Sequence, residues 1–387
     1  MYPDLGFFIK QTLGVDIPAL SIVKMFGLWM AIAFVLGGYV LSLELQRKER
    51  DGVITGIPKT VRVGEPASML ELAFNFLYGF LFGAKLGYII FSFAAFSVDP
   101  AVGLLSLKGN IFTGLLMGGF FAWLKYYEKK REQLDVPKDK TYMVLPSMRT
   151  GDLVIAAAIS GLIGAKLFAV MEYWDKVLVD PIGTLLSGSG LAFFGGLILA
   201  AITVALFGRY LRIPVGHLAD AAGLAVITGY GVGRIGCQLS GDGDWGIVSA
   251  AMPSWWFLPK WLWSFDYPHN VVNDGVPMPD CVGEYCTHLA QGVYPTPFYE
   301  TVLCAAIFAF LWSLRKRTKI PGILFCIFLF CNGIERFLIE TIRVNDHYNI
   351  VGLSLSQAQI IAIGLMLTGV GLGVVLWRSA KSDLASA

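Results

Sequence analysis

Charge is scarce in this chain. Asp, Glu, Lys and Arg make up 15% of 387 residues, where a soluble domain carries roughly 25%. Hydrophobic residues reach 56%, and so few polar groups cannot cover that much apolar surface in water. A net charge of +2 is too small to suggest a nucleic-acid partner. Histidine is also sparse. His217, His269, His288 and His347 are scattered, which gives no metal-ligand spacing. There is no P-loop and no Ser-His-Asp signature, and nothing in the sequence calls for a cofactor. Of the six cysteines, Cys237, Cys304, Cys326 and Cys331 lie in apolar runs, where a thiol behaves as a small buried hydrophobe. Cys281 and Cys286, in "CVGEYC", lie in a polar segment where an oxidising compartment favours a disulfide.

Long apolar runs are what the chain does have. Measured against the ~20 residues needed to cross a bilayer, nine stretches qualify, near 19–43, 69–93, 110–125, 151–173, 191–208, 217–239, 297–314, 321–344 and 356–377. The third and fifth are short. The expected fold is an all-α, polytopic integral membrane protein of about nine transmembrane helices, forming a single membrane domain over 1–387. Basic residues orient it. With the N-terminus outside, the inward segments hold 20 of the 30 Lys and Arg and the outward segments hold four, so the positive-inside rule puts the N-terminus outside and the C-terminus inside. The first span is too long for a cleaved signal peptide, and its basic cluster "LQRKER" follows it rather than precedes it.

Six cations remain within the spans: Lys24, Lys85, Lys166, Arg234, Arg336 and Arg343. Each is expensive facing lipid and is expected to face the bundle interior, to snorkel, or to bond to helix carbonyls. Arg234, Arg336 and Arg343 fall at similar depth near the outer face, which suggests an anion site, and guanidinium suits bidentate phosphate binding. In "ERFLIETIRVND", Arg336, Glu340 and Arg343 are spaced i, i+4, i+7, so one helix face is expected to carry all three, with Glu340 holding both arginines. An internal ion cluster that only locks helices together is the plainer reading of the same spacing. Glu300 opens the next span after a long outer loop, and Asp242 and Asp244 close the span carrying Arg234.

The chain also repeats itself. "FGAKLGYIIFSF" at 82–93 echoes "IGAKLFAVMEYW" at 163–174, and the offset of 81 that joins Gly83 to Gly164 also joins Asp99-Pro100 to Asp180-Pro181, "LLS" at 104–106 to "LLS" at 185–187, and Gly114 to Gly195. This predicts tandem helix–outer loop–helix units at 83–116 and 164–197, parallel rather than inverted, which also admits a lipid transporter or scramblase. The glycines of "GYGVGRIG" have a plain use in letting membrane helices approach closely. The outer loop 247–296, with Trp255, Trp256, Trp261 and Trp263, suits a segment on the headgroup layer or a lid.

Several motifs, in order, resemble the prolipoprotein diacylglyceryl transferases. "GVGRIGCQLSGDGDWG" (231–246) is similar to that family's signature. "SGLAFFGGLI", "YPTPFYE", "ERFLIETIRVND" and "LSLSQAQI" resemble its His-Gly-Gly, Pro-Tyr-Glu, Arg-x-x-x-Glu-x-x-Arg and Ser-x-Gly-Gln segments, and "KMFGL" falls where the family often has His-Trp-Tyr-Gly-Leu. The second copy of the repeat corresponds to the family's own helical pair, and the first is an addition. The resemblance implies transfer of the diacylglyceryl group of phosphatidylglycerol to the lipobox cysteine thiol of a lipoprotein precursor, recognised at its signal peptide, with release of glycerol phosphate. It also implies a bacterial inner membrane location, with the site facing the outer leaflet. The residues it assigns to catalysis are Arg234, Arg336, Glu340 and Asp242 or Asp244. Arg234, Arg343, Lys166, Gly241, Gly246, Glu300 and Tyr299 would bind substrate. Phe194, Phe26, Cys237, Ser240 and Tyr294 stand where the family has His, Tyr, Asn, Asn and His. A divergent paralogue that uses the same lipid pocket for another acceptor, or carries out no chemistry, is therefore the second reading.

Overall fold

The architecture of the chain is given by a computed structural model, which describes residues 1–98, 103, 106–172, 174, 178, 192–345, 347–350 and 353–386. Apolar runs become helices because a bilayer leaves no water for backbone groups, so every N–H and C=O must pair within its own segment. Among the described residues, six helices are long and apolar enough to cross a membrane, within Met25–Arg50, Met69–Phe91, Pro146–Met171, Val215–Ser240, Thr296–Leu314 and Gln357–Ser382. This makes the protein an all-α, multi-pass membrane protein. The helices are α1 (Leu5–Leu13), α2 (Met25–Arg50), α3 (Met69–Phe91), α4 (Phe93–Val98), α5 (Ile111–Glu132), α6 (Thr150–Glu172), α7 (Phe193–Tyr210), α8 (Val215–Ser240), α9 (Thr296–Leu314), α10 (Ile323–Glu340) and α11 (Gln357–Ser386). Helices α5, α7 and α10 occupy the three remaining stretches expected to span.

Three expectations shift. The first span begins at Met25, not at 19, because Pro18–Ile22 takes a tight 3-10 turn, and the helix then runs on through "LQRKER" to Arg50. Lys24 precedes that helix and is half exposed. It pairs with Asp4 at 3.8 Å and donates to the Tyr285 hydroxyl at 3.2 Å, so it is not a buried intramembrane cation. Two of the basic segments between expected spans also pair as a ribbon, with Ile57–Val63 antiparallel to Lys138–Val144 and Ile57 opposite Val144.

The chain divides into two compact units. One comprises Met1–Thr55, Pro146–Val154 and Gly208–Ala387, and the other Gly56–Leu145 and Ile155–Phe207. In the second unit, Ser68 and Glu71 form a reciprocal capping box that starts α3, and the Asn110 side chain caps α5. Helices α3 and α5 pack through glycine: a Cβ on Gly83 would lie 2.4 Å from the Met117 side chain. Lys85 donates to the carbonyls of Gly103 (3.0 Å), Ser106 and Lys108 (2.9 Å), so its charge is spent on closing the hairpin loop. In α6 and α7, a Cβ on Gly164 would meet the Gly195 carbonyl at 2.3 Å. Asp99-Pro100, Asp180-Pro181, 104–105 and 185–187 lie outside the described residues.

The first unit is built around α8. Its buried Leu224 and Ile227 cluster with Val40 of α2, Cys304 and Leu311 of α9, and Leu324 and Phe328 of α10. Two glycines of "GYGVGRIG" set the spacing. A Cβ on Gly231 would lie 2.8 Å from that of Cys304, and one on Gly236 would lie 2.9 Å from that of Trp29. Charge locks the opposite end of α8. Buried Asp220 accepts from the backbone N–H groups of Gly322 (3.1 Å) and Phe325 (3.0 Å), capping α10 from a neighbouring helix, and it lies 3.4 Å from buried Lys48. Asp220→Ala leaves Lys48 and the α10 terminus without that carboxylate. It should cost about 3 kcal/mol, seen as a lower melting temperature in detergent. An unchanged melting temperature would remove this account of how α10 is anchored.

Candidate functional site

The site is assembled at the other end of α8. Tyr230 and Arg234 are spaced i, i+4 on one face. The helix stops at Gly241 because this residue takes φ +64 and donates its N–H to the Cys237 carbonyl at 3.0 Å. A Cβ here would also meet that of Asn270 at 2.9 Å. The chain then reverses, bringing Asp242 and Asp244 back towards α8. Thr296, at the start of α9, donates its hydroxyl to the Asp244 carbonyl at 2.8 Å. Gly246 donates its N–H to the Tyr294 carbonyl at 2.9 Å and runs beside Arg343, so close that a Cβ would lie 2.5 Å from the Ile342 carbonyl oxygen. The ends of α8, α9 and α10 are thereby laced together by backbone.

Four charged side chains close a ring within this frame. Asp244 pairs with Arg234 through one oxygen and with Arg343 at 2.6 Å through the other. Glu300 pairs with Arg234 at 2.5 Å and with Arg343 at 3.1 Å. Glu300 has no exposed surface, a position that a carboxylate tolerates only when its charge and lone pairs are met. The Tyr230 hydroxyl meets the remaining demand, donating to Glu300 at 2.6 Å. The ring is electrically neutral, with two guanidinium groups held by two carboxylates.

Arg336, on α10, has a separate partner. It pairs with Glu340 at 3.0 Å, and the other oxygen of Glu340 accepts from Asn345 and from the Ser356 hydroxyl at 2.8 Å. Ser356 also accepts from the Gln359 N–H at 3.2 Å, so the turn that opens α11 fixes Glu340. Glu335, on α10, lies close enough to both Arg336 and Arg234 to feel their charge and accepts weakly from Tyr230 at 3.4 Å. Buried Glu335 Oε2 and Arg343 Nε have no hydrogen-bond partner among the described residues.

One expectation is corrected here. Arg336, Glu340 and Arg343 do not share a helix face, because α10 ends at Glu340 and the chain turns at Thr341. Arg343 therefore leaves Glu340 to Arg336 and swings to Asp244 and Glu300. The structure also separates the two aspartates. Asp244 is the partner of the arginines, while Asp242 accepts the Asp244 N–H at 3.3 Å and lies near Cys237. Cys237, Asp242 and Asp244 place ligand atoms within 4.8 Å of one another, but both Asp244 oxygens already face guanidinium groups. Gly241 and Gly246 serve the close approach of backbone to backbone.

Tyr299 donates its hydroxyl to the Leu262 carbonyl at 2.5 Å, fastening the long loop to α9 rather than entering the ring. Lys166 belongs to the second unit, and the side chains of Phe194 and His347 lie outside the described residues. Cys281 and Cys286 form a disulfide in the long loop. That loop folds around fully buried Tyr267, and Trp255, Trp256 and Trp263 pack edge to face on one another. The sequence reading missed Tyr230, Glu335 and Thr296. The first two carried a signal, since Tyr230 stands one helical turn before Arg234 and Glu335 adjoins Arg336.

The two aspartates titrate in opposite directions. Burial pushes Asp244 up, but Arg234 and Arg343 outweigh it and hold the carboxyl below its usual range. Burial and then the charge of Asp244 push Asp242 above its usual range. Stability from Asp244 is thus present above its unfolded pKa and is lost as pH falls through the lowered value. The ionised form of Asp242 strains the fold near neutrality, and that strain is relieved as pH falls through the raised value. Asp244→Asn should cost about 1–2 kcal/mol near neutral pH, less than a fully buried pair because Asp244 is a third exposed. Asp242→Asn should melt at or above the wild-type temperature. Melting curves across the acid range check the pair, and the reverse order would contradict it.

A family model described as prolipoprotein diacylglyceryl transferase matches residues 138–375, which includes 164–197 and excludes 83–116. Over 240 residues the chain is 30% identical to the phosphatidylglycerol–prolipoprotein diacylglyceryl transferase of Dehalococcoides mccartyi, covering 60% of this chain and 80% of that protein. It is 28% identical over 263 residues to the protein of that name from Leptospira interrogans, covering 61% of this chain and 72% of that one. A third, from Bacillus cytotoxicus, is 28% identical over 274 residues, covering 70% of this chain and 87% of that one.

Proposed function

The chain belongs to the prolipoprotein diacylglyceryl transferase family, and from that premise we propose that it transfers the diacylglyceryl group of phosphatidylglycerol to the cysteine thiol of a lipoprotein precursor. The observation that carries this reading is the set of arginines at one end of α8 and α10, fixed in place by buried carboxylates. In the reaction, a carbon–sulfur bond forms to the glyceryl carbon of the diacylglyceryl group as its bond to the phosphate oxygen breaks. The departing oxygen keeps the electron pair, and glycerol phosphate leaves.

Charge on the leaving phosphate grows as the bond breaks, and guanidinium groups already oriented at low dielectric stabilise that charge without reorganising. Arg336 suits this role, since Glu340 is its ion partner and its side chain is 23% exposed, against 10% for Arg343. Arg234 is its counterpart on α8. Asp244, Glu300 and Arg343 orient Arg234, while Glu340 and Ser356 orient Arg336. The thiol must lose its proton to attack. Asp242 and Glu335 are the carboxylates of this neighbourhood that pair with no arginine among the described residues, and Asp242, the less buried of the two, is the candidate acceptor in place of the histidine replaced by Phe194. Gly241 and Gly246 keep the backbone close at this site, and Lys166 and Tyr299 are proposed to bind substrate.

The precursor is proposed to enter through its signal peptide from the outer leaflet of a bacterial inner membrane, with the N-terminus outside and the C-terminus inside, as the distribution of basic residues supports. The hairpin at 83–116 is proposed as an added copy of the pair at 164–197.

Reconstitution with phosphatidylglycerol and a synthetic lipobox peptide tests the reading. Wild-type protein should form the thioether. Arg234→Ala and Arg336→Ala should each lower the rate by about 100-fold or more, the scale of losing one preorganised oxyanion contact. Transfer that proceeds unchanged in both variants, or wild-type protein that binds lipid without transferring it, would sink the assignment.

A further inference from the structure

A second group of cations lies at the far end of the first unit, and the transfer reaction does not use it. Glu300 opens α9 and Arg315 follows its last residue, so roughly 22 Å of helix at 1.5 Å per residue separates the two ends. There the last turn of α2 and the end of α9 line a recess of about 510 Å³. Its wall carries Arg47, Arg50, Arg315 and Lys316, with Asp51 as its one carboxylate.

Beneath it, fully buried Glu44 takes Arg47 at 2.5 and 3.0 Å and lies 3.7 Å from Arg315. Arg47 also reaches Asp51 at 2.6 Å. Four cations against two carboxylates leave two positive charges uncompensated, and neighbouring Lys48 is already met by Asp220. The guanidinium of Arg315 is not loose. It sits 3.3 Å from the centre of the Trp312 ring and donates to the Trp312 carbonyl at 2.7 Å. Burial lowers its pKa, and the nearby charge of Arg47 acts the same way against the pull of Glu44. A bound anion would relieve that crowding.

We propose that this recess binds the phosphate of an anionic phospholipid headgroup from the leaflet at that end of the protein. A guanidinium held over tryptophan, with the exposed Arg50 and Lys316 on the same wall, suits contact with a phosphate. Phosphate on a lipid fits better than free phosphate. Trp312 stands in the last turn of apolar α9, and indole favours the headgroup layer where such a helix ends. The site is independent of the arginine–carboxylate ring and of the reaction proposed there.

The test compares melting of full-length protein in phosphatidylcholine nanodiscs with and without phosphatidic acid. Phosphatidic acid should raise the midpoint by a few degrees. The rise should vanish in Arg50→Gln/Lys316→Gln, which changes two exposed side chains, and should persist in Arg234→Ala. Arg315→Gln should abolish it too, and the midpoints in phosphatidylcholine alone separate loss of binding from loss of fold. A rise that survives the double substitution, or disappears in Arg234→Ala, overturns the site. The same rise from inorganic phosphate in phosphatidylcholine nanodiscs overturns its assignment to lipid.

Discussion

Burying Glu300 is the constraint around which the site is organised. A carboxylate with no exposed surface at the start of a membrane helix is costly by several kcal/mol unless its charge is met. Arg234 and Arg343 meet it from two sides, and Tyr230 supplies a hydroxyl donor. Those arginines in turn need Asp244, and Asp244 reaches them because α8 stops at Gly241 and reverses. Three segments distant in sequence are therefore fixed by one charge balance. The same contacts that make the ring stable make it stiff, and stiffness is what the proposed site for a departing phosphate requires.

Neutrality inside the ring gives Arg336 a separate part. Its partner Glu340 is shared with Ser356, at the turn into α11, so its orientation is set by a different helix from the one that sets Arg234. Glu335 stands near both. Two arginines are thus brought to one neighbourhood by independent supports, and this arrangement also explains the unusual number of carboxylates there. Each guanidinium within an apolar bundle needs a fixed counter-charge, and each buried carboxylate needs hydrogen bonds of its own.

Elsewhere in the bundle, charges are spent differently. Lys85 satisfies loop carbonyls, Lys24 sits outside its helix, and Asp220 caps α10 across a helix boundary. Intramembrane charge is therefore not one signal. The identity of the partner, whether carbonyl, helix terminus or opposite charge, decides whether the residue closes a loop, anchors a helix or builds a site. Backbone approach is the other recurrent device, with glycine at 231 and 236 bringing α9 and α2 against α8 where lipid supplies no hydrophobic drive for association.

By itself the sequence determined the class of molecule and the inventory of the site. Apolar runs of bilayer length, the scarcity of charge and the order of the motifs are local properties, and a membrane converts them directly into helices because no other backbone arrangement is satisfied there. Arg234, Asp244, Glu300 and Arg343 were all legible as rare charges near one depth. Their partners were decided only by tertiary structure. Periodicity placed Arg343 with Glu340, yet α10 ends one turn earlier, and the residue after a helix end points where the turn sends it. The choice of Asp244 over Asp242 likewise followed from the reversal at Gly241. Pairing depends on where helices stop and which termini meet, and both are settled by packing among segments that spacing along the chain cannot relate.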